Sequence, residues 1–262
     1  MKNINKLIFL ILFLTLIKFD VYSESVFTWD LKKDIAIGAF SLGLFFGAYL
    51  MSNEPEVPTN LNRNDVNAFD RGLMFPRDQA LYDVRYLQMF VLSVLPIVSP
   101  LAVTRGNVRR NLDTWLTYGI MYAQAVFLTY GTRMLIGNVV NRYRPHEYFD
   151  NPTHPIKNNS FPSGTTAIAF MPATFLSVTF SAEFPDSPWR IPLIVGSYTL
   201  ATAVGVTRIF SGAHFLTDVL AGAAIGSLYG WLIPTLHRRK NIEGNRISPL
   251  FTGNGIMLSL KF

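Results

Sequence analysis

Residues 206–236 read VTRIFSGAHFLTDVLAGAAIGSLYGWLIPTL, and this stretch decides the fold class. From Phe215 to Leu236 its only charged side chain is Asp218. A membrane-spanning helix needs roughly 20 predominantly apolar residues, so this part is long enough to cross a bilayer. Gly222 and Gly226 are one helical turn apart, a spacing that permits close contact with a second helix in lipid. The stretch therefore predicts a membrane helix that packs closely against another.

Five further apolar stretches precede it. They are residues 35–51, 86–103, 114–136, 165–180 and 191–206. Together the stretches predict an all-α integral membrane helical bundle of about six transmembrane helices, with the shorter ones tilted or extended by flanking turns. Gly43 and Gly47 repeat the close-contact spacing in the first stretch. A buried bundle in a soluble protein is the alternative, and the length and continuity of the stretches disfavour it.

Composition indicates the same class of protein. Of the 262 residues, 50% are hydrophobic and 15% are charged, and the mean hydropathy is +0.26. The net charge is +6, but the basic residues form short clusters between apolar runs. This arrangement favours membrane lipids or a phosphorylated substrate as partners, and no nucleic acid. Cysteine is absent, which excludes disulfides, thiolate metal ligands and a cysteine nucleophile.

The chain divides into three segments. Residues 1–23 have a basic start, an apolar run shorter than a span and a small-residue cleavage site, which is the pattern of a secretory signal peptide. Residues 24–240 form the predicted membrane-embedded domain. Residues 241–262 form a C-terminal tail. At its end, over residues 256–262, the side chains alternate with a period of two, which predicts a strand in a surface hairpin or short tail.

Basic residues in short loops predict the orientation in a bacterial-type cytoplasmic membrane. These residues are Arg105, Arg109, Arg110, Arg238, Arg239 and Lys240. Their two loops are predicted to be cytoplasmic, so residues 52–85, 138–164 and 207–213 face the periplasm. A cleaved signal peptide followed by six spans predicts the reverse, and the sequence leaves that conflict open. His237, next to the second basic cluster, is expected to anchor the helix end.

Side chains suited to phosphate chemistry occupy the three predicted periplasmic loops. They are Arg142, Arg144 and Pro145, then Pro162, Ser163 and Gly164, then Arg208, His214 and Asp218. Arginine donates two parallel hydrogen bonds to a phosphate, and a Pro-Ser-Gly segment entering a helix directs backbone amides at an anion. His214 and Asp218 are four residues apart and share a helical face, where the carboxylate can fix the imidazole tautomer. Each pattern alone is common at helix ends; their combination indicates a phosphate site.

The order and spacing of these motifs resemble the three-part signature of the type 2 phosphatidic acid phosphatase and vanadium haloperoxidase superfamily, over about residues 131–236. The resemblance implies a helical-bundle core and phosphate ester hydrolysis without a metal or cofactor. It implies that His214 is the nucleophile and Asp218 its orienting partner. The implied phosphate-binding residues are Arg144, Ser163, Gly164 and Arg208.

Two positions depart from the family pattern. Gly137 replaces a lysine that usually binds phosphate, and Arg133, one helical turn earlier, is expected to reach the same place. Thr165 replaces a histidine that protonates the leaving oxygen, and a hydroxyl is a poor acid near neutral pH. Either His146 or His154 substitutes for it, or the leaving group is a diphosphate-type anion that needs no acid, or activity is lost.

The sequence thus predicts a membrane phosphatase that acts on a lipid-linked phosphate or diphosphate through a phosphohistidine. Lipid A, polyprenyl diphosphate and phosphatidylglycerol phosphate are all open as substrates. The alternatives are a phosphotransferase to a lipid or sugar acceptor and a catalytically weakened lipid-phosphate-binding protein. A vanadate-dependent haloperoxidase is disfavoured, because that soluble chemistry has no use for six apolar spans.

Overall fold

The computed structural model describes residues 25–58, 61–108, 111–150, 152–239, 248–252 and 255–259. The helices are α1 (Leu31–Leu50), α2 (Ala68–Arg71), α3 (Gln79–Val94), α4 (Val98–Thr104), α5 (Leu112–Val140), α6 (Glu147–Asp150), α7 (Gly164–Glu183), α8 (Arg190–Phe210) and α9 (Leu216–His237). Short 3₁₀ turns cover Arg63–Asp65 and Leu95–Ile97. In the tail, β1 (Ser248–Thr252) and β2 (Gly255–Ser259) pair as an antiparallel hairpin.

All six apolar stretches lie in helices, which confirms the helical membrane bundle. Among the described residues, α1, α7, α8 and α9 are long and apolar enough to cross a membrane. The second predicted stretch is divided between α3 and α4 by the 3₁₀ turn at Pro96, because proline has no backbone N–H to continue the helical ladder. The predicted signal peptide, Arg109, Arg110 and Lys240 lie outside the described residues.

Helix α7 is the centre of the bundle. It packs along α9 and also contacts α8, α5, α3 and α4. Its side chains Met171, Phe175 and Phe180 are fully buried. Helix α1 packs against α5 at the outside and leaves Phe40 and Leu50 exposed, as expected for side chains that face lipid. The apolar stretches therefore fold around one helix, whose first residue belongs to the Pro-Ser-Gly motif.

Glycines bring α9 into backbone contact with α7. A Cβ atom added at Gly222 would lie 2.4 Å from the carbonyl oxygen of Ser163, and one at Gly226 would lie 2.1 Å from that of Ala167. Only glycine permits so close an approach. This confirms the contact predicted for both glycines, and it fixes the start of α7 beside Asp218 on α9.

The same prediction is wrong for Gly43 and Gly47. A Cβ atom added at either position meets no described atom outside its own helix within 4 Å. The close approach of α1 to α5 occurs instead at Gly131 of α5, where a Cβ atom would lie 2.9 Å from the backbone nitrogen of Phe45. The small residue that this contact requires is therefore on the partner helix, and α1 presents larger side chains to it.

The expectation for His237 is also wrong. Its side chain is fully buried, and its Nε2 lies 2.5 Å from Oδ1 of Asp34 at the start of α1. The Nε2 of Gln124 on α5 donates to the same carboxylate oxygen at 3.1 Å. A buried imidazole needs hydrogen-bond partners, and here they come from within the bundle. This cluster joins α1, α5 and α9 at the end of the bundle where α7 and α9 terminate.

The segment before α1 packs at that same end. The Ser25 hydroxyl donates to Glu183 at the end of α7 at 2.5 Å, and the Thr28 amide donates to the carbonyl of His237 at 3.0 Å. Phe27 is buried edge-on against the Tyr118 ring, with ring centroids 5.8 Å apart. Residues 25–28 therefore lie at the opposite end of α7 from the Pro-Ser-Gly motif.

Candidate active site

The three predicted motif loops meet at the start of α7. The Ser163 amide donates to the Asp218 carbonyl at 2.9 Å, which joins the second motif to the third. An Arg144 guanidinium nitrogen donates to the Asn159 side chain at 3.2 Å, which joins the first motif to the loop before the second. His214 contacts the same loop through the Ser160 carbonyl. The structure thus brings arginines, a helix N-terminus and a histidine together.

The imidazole of His214 is held in one tautomer. Its side chain is buried in the turn between α8 and α9, and Nδ1 lies 2.8 Å from the carbonyl oxygen of Ser160. Because a carbonyl only accepts, Nδ1 carries the proton and Nε2 keeps a free lone pair. Burial lowers the pKa of His214 to about 4, and the positive charge of Arg144 adds to this shift while Asp218 opposes it. The ring is therefore neutral near pH 7, with an unprotonated Nε2.

Asp218 lies beside this ring without a direct hydrogen bond to it. Its Oδ2 is 3.6 Å from His214 Nδ1 and accepts hydrogen bonds from the Ser160 hydroxyl at 2.5 Å and the Phe215 amide at 2.9 Å. Its Oδ1 accepts from Arg142 at 2.7 Å. Ser160 therefore connects the imidazole and the carboxylate, a role that sequence reasoning missed. Its position two residues before Pro162 is the one signal that the sequence offers.

Arg133 and Arg144 are the arginines placed at the start of α7. Arg133 donates to the carbonyls of Pro162 at 3.2 Å and Asn159 at 3.0 Å, and Arg144 also lies 3.4 Å from the Ala213 carbonyl. The Arg133 guanidinium thus contacts the loop before α7, and the Arg144 guanidinium contacts both that loop and the turn that carries the histidine. Such a pair can neutralise the charge of a phosphate.

Gly137, at the position of the missing lysine, lies close to the next loop. A Cβ atom added there would lie 3.1 Å from the carbonyl oxygen of Phe161, a tight contact that the loop would have to relieve by a small shift. A Cβ atom added at Gly164 would lie 3.0 Å from Nε of Arg133. Arg133 therefore extends from α5 to the Pro-Ser-Gly segment.

Ser163 and Arg208 make other contacts. The Ser163 hydroxyl caps α7, 2.9 Å from the Thr166 hydroxyl. Arg208 is almost fully buried, and its guanidinium donates to the backbone carbonyls of Leu81 at 2.8 Å and Tyr82 at 3.3 Å in the first turn of α3. Its backbone carbonyl accepts from the His214 amide at 3.1 Å. In this structure Arg208 therefore contacts α3 and supports the histidine turn.

The two candidate substitute acids differ in position. His146 is buried, and its Nδ1 lies 2.9 Å from the carbonyl of Gly212 in the histidine turn. Burial lowers its pKa, with the charges of Arg144 and Arg77 adding to the shift, so it holds no second proton near neutral pH. His154 is exposed on the loop. Thr165 is partly exposed in the first turn of α7.

Glu147 is a further titratable group that the sequence did not single out. It is buried at the start of α6, and its Oε2 accepts from the Arg144 amide at 2.5 Å. Burial raises the pKa of its carboxyl to about 7, although that amide and the Arg144 charge oppose the shift. Its position next to His146 in the Arg-Pro loop was the available signal.

Sequence reasoning gave no role to Asp70 and did not pair it with Arg142, which was grouped with the side chains suited to phosphate. Asp70, on the short helix α2, is fully buried and lies 2.7 Å from Arg142. Arg142 in turn pairs with Asp218 at 2.7 Å. In the part of the chain that the structure describes, no three His, Asp or Glu side chains are grouped to hold a metal ion.

Comparison of the sequence with known protein families gives one match. Residues 115–242 match the PAP2 superfamily. This region is just under half of the chain and contains all three motifs.

The chain is similar to two characterised bacterial proteins. It is 43% identical over 74 residues to lipid A 1-phosphatase of Porphyromonas gingivalis, covering 28% of this chain and 15% of that protein. It is 30% identical over 114 residues to phosphatidylglycerophosphatase B of Bacillus subtilis, covering 41% of this chain and 54% of that protein. The chain thus spans well under two thirds of either relative. A crystal structure of a transmembrane PAP2 type phosphatidylglycerolphosphate phosphatase from Bacillus subtilis superposes with a TM-score of 0.44 at 22% identity, over 78% of this chain and 95% of that one.

Proposed function

We propose that this protein is a lipid phosphatase that hydrolyses a lipid-linked phosphate or diphosphate through a phosphohistidine at His214. One observation carries the proposal. The Ser160 carbonyl holds the Nδ1 proton of His214 and leaves Nε2 unprotonated, beside Arg133, Arg144 and the start of α7. Two proteins to which the chain is similar are named for phosphatase activity on lipids.

The reaction has two displacement steps. The lone pair of His214 Nε2 attacks phosphorus, the P–N bond forms, and the bond to the leaving oxygen breaks with its electron pair. The two arginines neutralise the phosphoryl oxygens, as does the positive end of the α7 dipole. A positive imidazole forms, and the Asp218 carboxylate stabilises it. Water then attacks phosphorus, and the P–N bond breaks with its electron pair returning to Nε2. Phosphate leaves with the protons of this water and gives one to solvent, while the anion released in the first step takes one proton from solvent.

The lack of an acid at position 165 favours a leaving group that departs as an anion, with the buried carboxyl of Glu147, whose pKa is raised to about 7, as the remaining candidate acid. Thr165 has no acidic proton, neutral His146 commits its single N–H to the Gly212 carbonyl, and His154 is exposed. General acid help matters most when a basic alkoxide leaves, and it is less important for a phosphate. We therefore place lipid diphosphates ahead of lipid monophosphates as substrates.

We further propose that the site faces the periplasm from the cytoplasmic membrane of a bacterial-type cell. Arg105 follows α4, and Arg238 and Arg239 follow α9, so these basic residues lie at the end of the bundle opposite the site. Positive residues in short loops favour the cytoplasmic side.

Phosphate release from lipid monophosphates and diphosphates in detergent tests the proposed function, with His214→Ala as the control. The proposal expects release by the wild-type protein alone, and faster release from diphosphates. A phosphorylated lipid or sugar acceptor with little free phosphate would identify a phosphotransferase instead. Binding of vanadate without turnover of any substrate would identify a phosphate-binding protein.

A further inference from the structure

Asp70 is a buried carboxylate outside the residues that match the superfamily. It lies on α2, in the connection between α1 and α3, and has no exposed surface. Four hydrogen bonds reach its two oxygens. They come from Arg142 at 2.7 Å, the Thr217 hydroxyl at 2.6 Å, the Thr217 amide at 3.0 Å and the Asn67 side chain at 2.8 Å. These bonds fix the carboxylate against the first turn of α9.

Arg142 connects Asp70 to the nucleophile's partner. One terminal nitrogen of its guanidinium is 2.7 Å from Asp70 and the other is 2.7 Å from Asp218. The guanidinium carbon also lies 3.9 Å from the centroid of the Phe215 ring. A planar guanidinium held by two carboxylates and a ring has one orientation. Asp218 therefore receives a donor whose direction depends on Asp70.

The charges of Asp70, Arg142 and Asp218 suit the proposed reaction. Although burial alone would raise it, the pKa of Asp70 is lowered by hydrogen bonds from Thr217 and Arg142, so its carboxyl is ionised. Two carboxylates then share one guanidinium, which leaves a net negative charge beside the imidazole. If Asp70 were neutral, the charge of Arg142 would be balanced by Asp218 alone. Asp218 would then offset less of the positive charge that forms on His214.

We propose that Asp70 is a positioning residue: through Arg142 it holds the Asp218 carboxylate where it stabilises the positive imidazole of His214. This inference rests on the proposed phosphatase function. It makes the connection between α1 and α3 part of the active-site support, although only α5 to α9 carry the superfamily motifs.

Asp70→Asn, in the full chain in detergent, is the direct test. It keeps the shape of the side chain and removes its charge. A loss of about 1.4 kcal/mol in the stabilisation of the positive imidazole is a tenfold loss of rate, so we expect kcat to fall about 10-fold or more, with KM changed less than about twofold. Asp65→Asn is the matched control, because Asp65 lies in the same connection, is exposed and is not among the carboxylates that hold Arg142, which are Asp70 and Asp218. It should behave as the wild type.

Two further readouts separate positioning from a purely structural role. In Asp70→Asn the less balanced charge of Arg142 should lower the pKa of His214, and the acid limb of kcat/KM should move to lower pH. The double variant Asp70→Asn, Arg142→Lys should have the same kcat as Arg142→Lys alone, because both substitutions act through one contact. The proposal would be overturned if the two reductions in kcat multiplied in the double variant, or if the acid limb of kcat/KM stayed at the same pH in Asp70→Asn.

Arg142→Lys carries the test if Asp70→Asn gives no cooperative thermal unfolding. Lysine keeps the charge but has a single nitrogen and cannot reach two carboxylates as the guanidinium does. A fall in kcat with unchanged KM supports the proposal, and an unchanged kcat overturns it. The wild type and His214→Ala are measured alongside. No turnover by the wild type means that the proposed function has failed; turnover that depends on His214 but not on Asp70 means that only this inference has failed.

Discussion

At the scale of single residues, His214 and Asp218 should differ in how much activity they control. His214→Ala removes the nucleophile and should abolish phosphate release. Asp218→Asn should leave a reduced rate, lower by about 10²–10⁴-fold, because the charge that stabilises the positive imidazole is lost. Some rate should remain because the Ser160 carbonyl still fixes the Nδ1 proton. Steady-state kcat of both variants checks this, and full activity in His214→Ala would refute the assignment.

The pH dependence follows from the buried state of His214. Attack requires unprotonated Nε2, and the pKa of His214 is lowered from 6.5 to about 4. Activity should therefore persist as pH falls through 6.5 and decline only toward 4. Arg144→Gln removes a positive charge close to His214, so the acid limb of kcat/KM should move to higher pH. An acid limb at or above pH 6.5 in the wild type would contradict the neutral buried imidazole.

Thr165 provides a test of the leaving group. The enzyme should hydrolyse lipid diphosphates much faster than matched monophosphates. Thr165→His should raise the monophosphate rate and change the diphosphate rate little, since general acid help is typically worth ~10²–10⁴-fold where the leaving oxygen is strongly basic. Comparable wild-type rates on both substrates, with a large loss in His146→Ala, His154→Ala or Glu147→Gln, would show that another group supplies the proton.

The sequence could predict those site residues that belong to motifs. The spacing of His214 and Asp218 and the Pro-Ser-Gly segment were sufficient to place them at one site. Ser160 and Asp70 could not be predicted, because a serine or aspartate in a loop has no distinguishing pattern. Their roles depend on which backbone carbonyl and which arginine the fold brings to them, and this is set by contacts between distant segments.

At the scale of helices, the contact between α7 and α9 should be sensitive to a single methyl group. In Gly226→Ala the new Cβ atom would lie 2.1 Å from the Ala167 carbonyl oxygen, so the helices must separate. Overpacking of this kind typically costs 1–3 kcal/mol, and we expect thermal unfolding at a lower temperature and reduced turnover. Gly43→Ala is the control, because no described atom of another helix lies within 4 Å of its added Cβ. Equal effects of the two substitutions would contradict this account.

Hydropathy predicted which segments are helices, because a membrane requires long apolar runs with internally paired backbones. It did not predict which helix supplies the small residue at each contact. The glycines of α9 face α7, whereas those of α1 do not mediate its contact with α5, and Gly131 does so instead. Spacing along one helix cannot identify the face that its neighbour will cover. For the same reason the buried pair of His237 and Asp34 was missed, since its members are on the last and first of the long helices.

At the scale of the whole molecule, residues 25–28 and the candidate active site must face opposite sides of the membrane. This segment lies at the end of the bundle opposite the site. Signal peptide cleavage occurs on the periplasmic side and would place the site in the cytoplasm. A periplasmic site therefore requires that residues 25–28 remain cytoplasmic.

Cysteine labelling distinguishes the two orientations. Because the sequence has no cysteine, an introduced cysteine is the only thiol that the reagent can label. With the proposed orientation, Asn158→Cys should react in intact cells or spheroplasts with a reagent that cannot cross the membrane. Asn111→Cys, at the start of α5, should react only after the membrane is permeabilised. The reverse pattern would place the site in the cytoplasm and favour a cleaved signal peptide.

The central claim is a covalent phosphohistidine at His214, and trapping it is the most direct measurement. Wild-type protein mixed with a ³²P-labelled lipid diphosphate and rapidly quenched in base should retain label on the chain, because the P–N bond of phosphohistidine is stable in base and labile in acid. The label should disappear on acid treatment, and peptide mapping should place it at His214. His214→Ala should acquire none. Turnover by the wild type with no trapped label, or an equal label on His214→Ala, would contradict the mechanism.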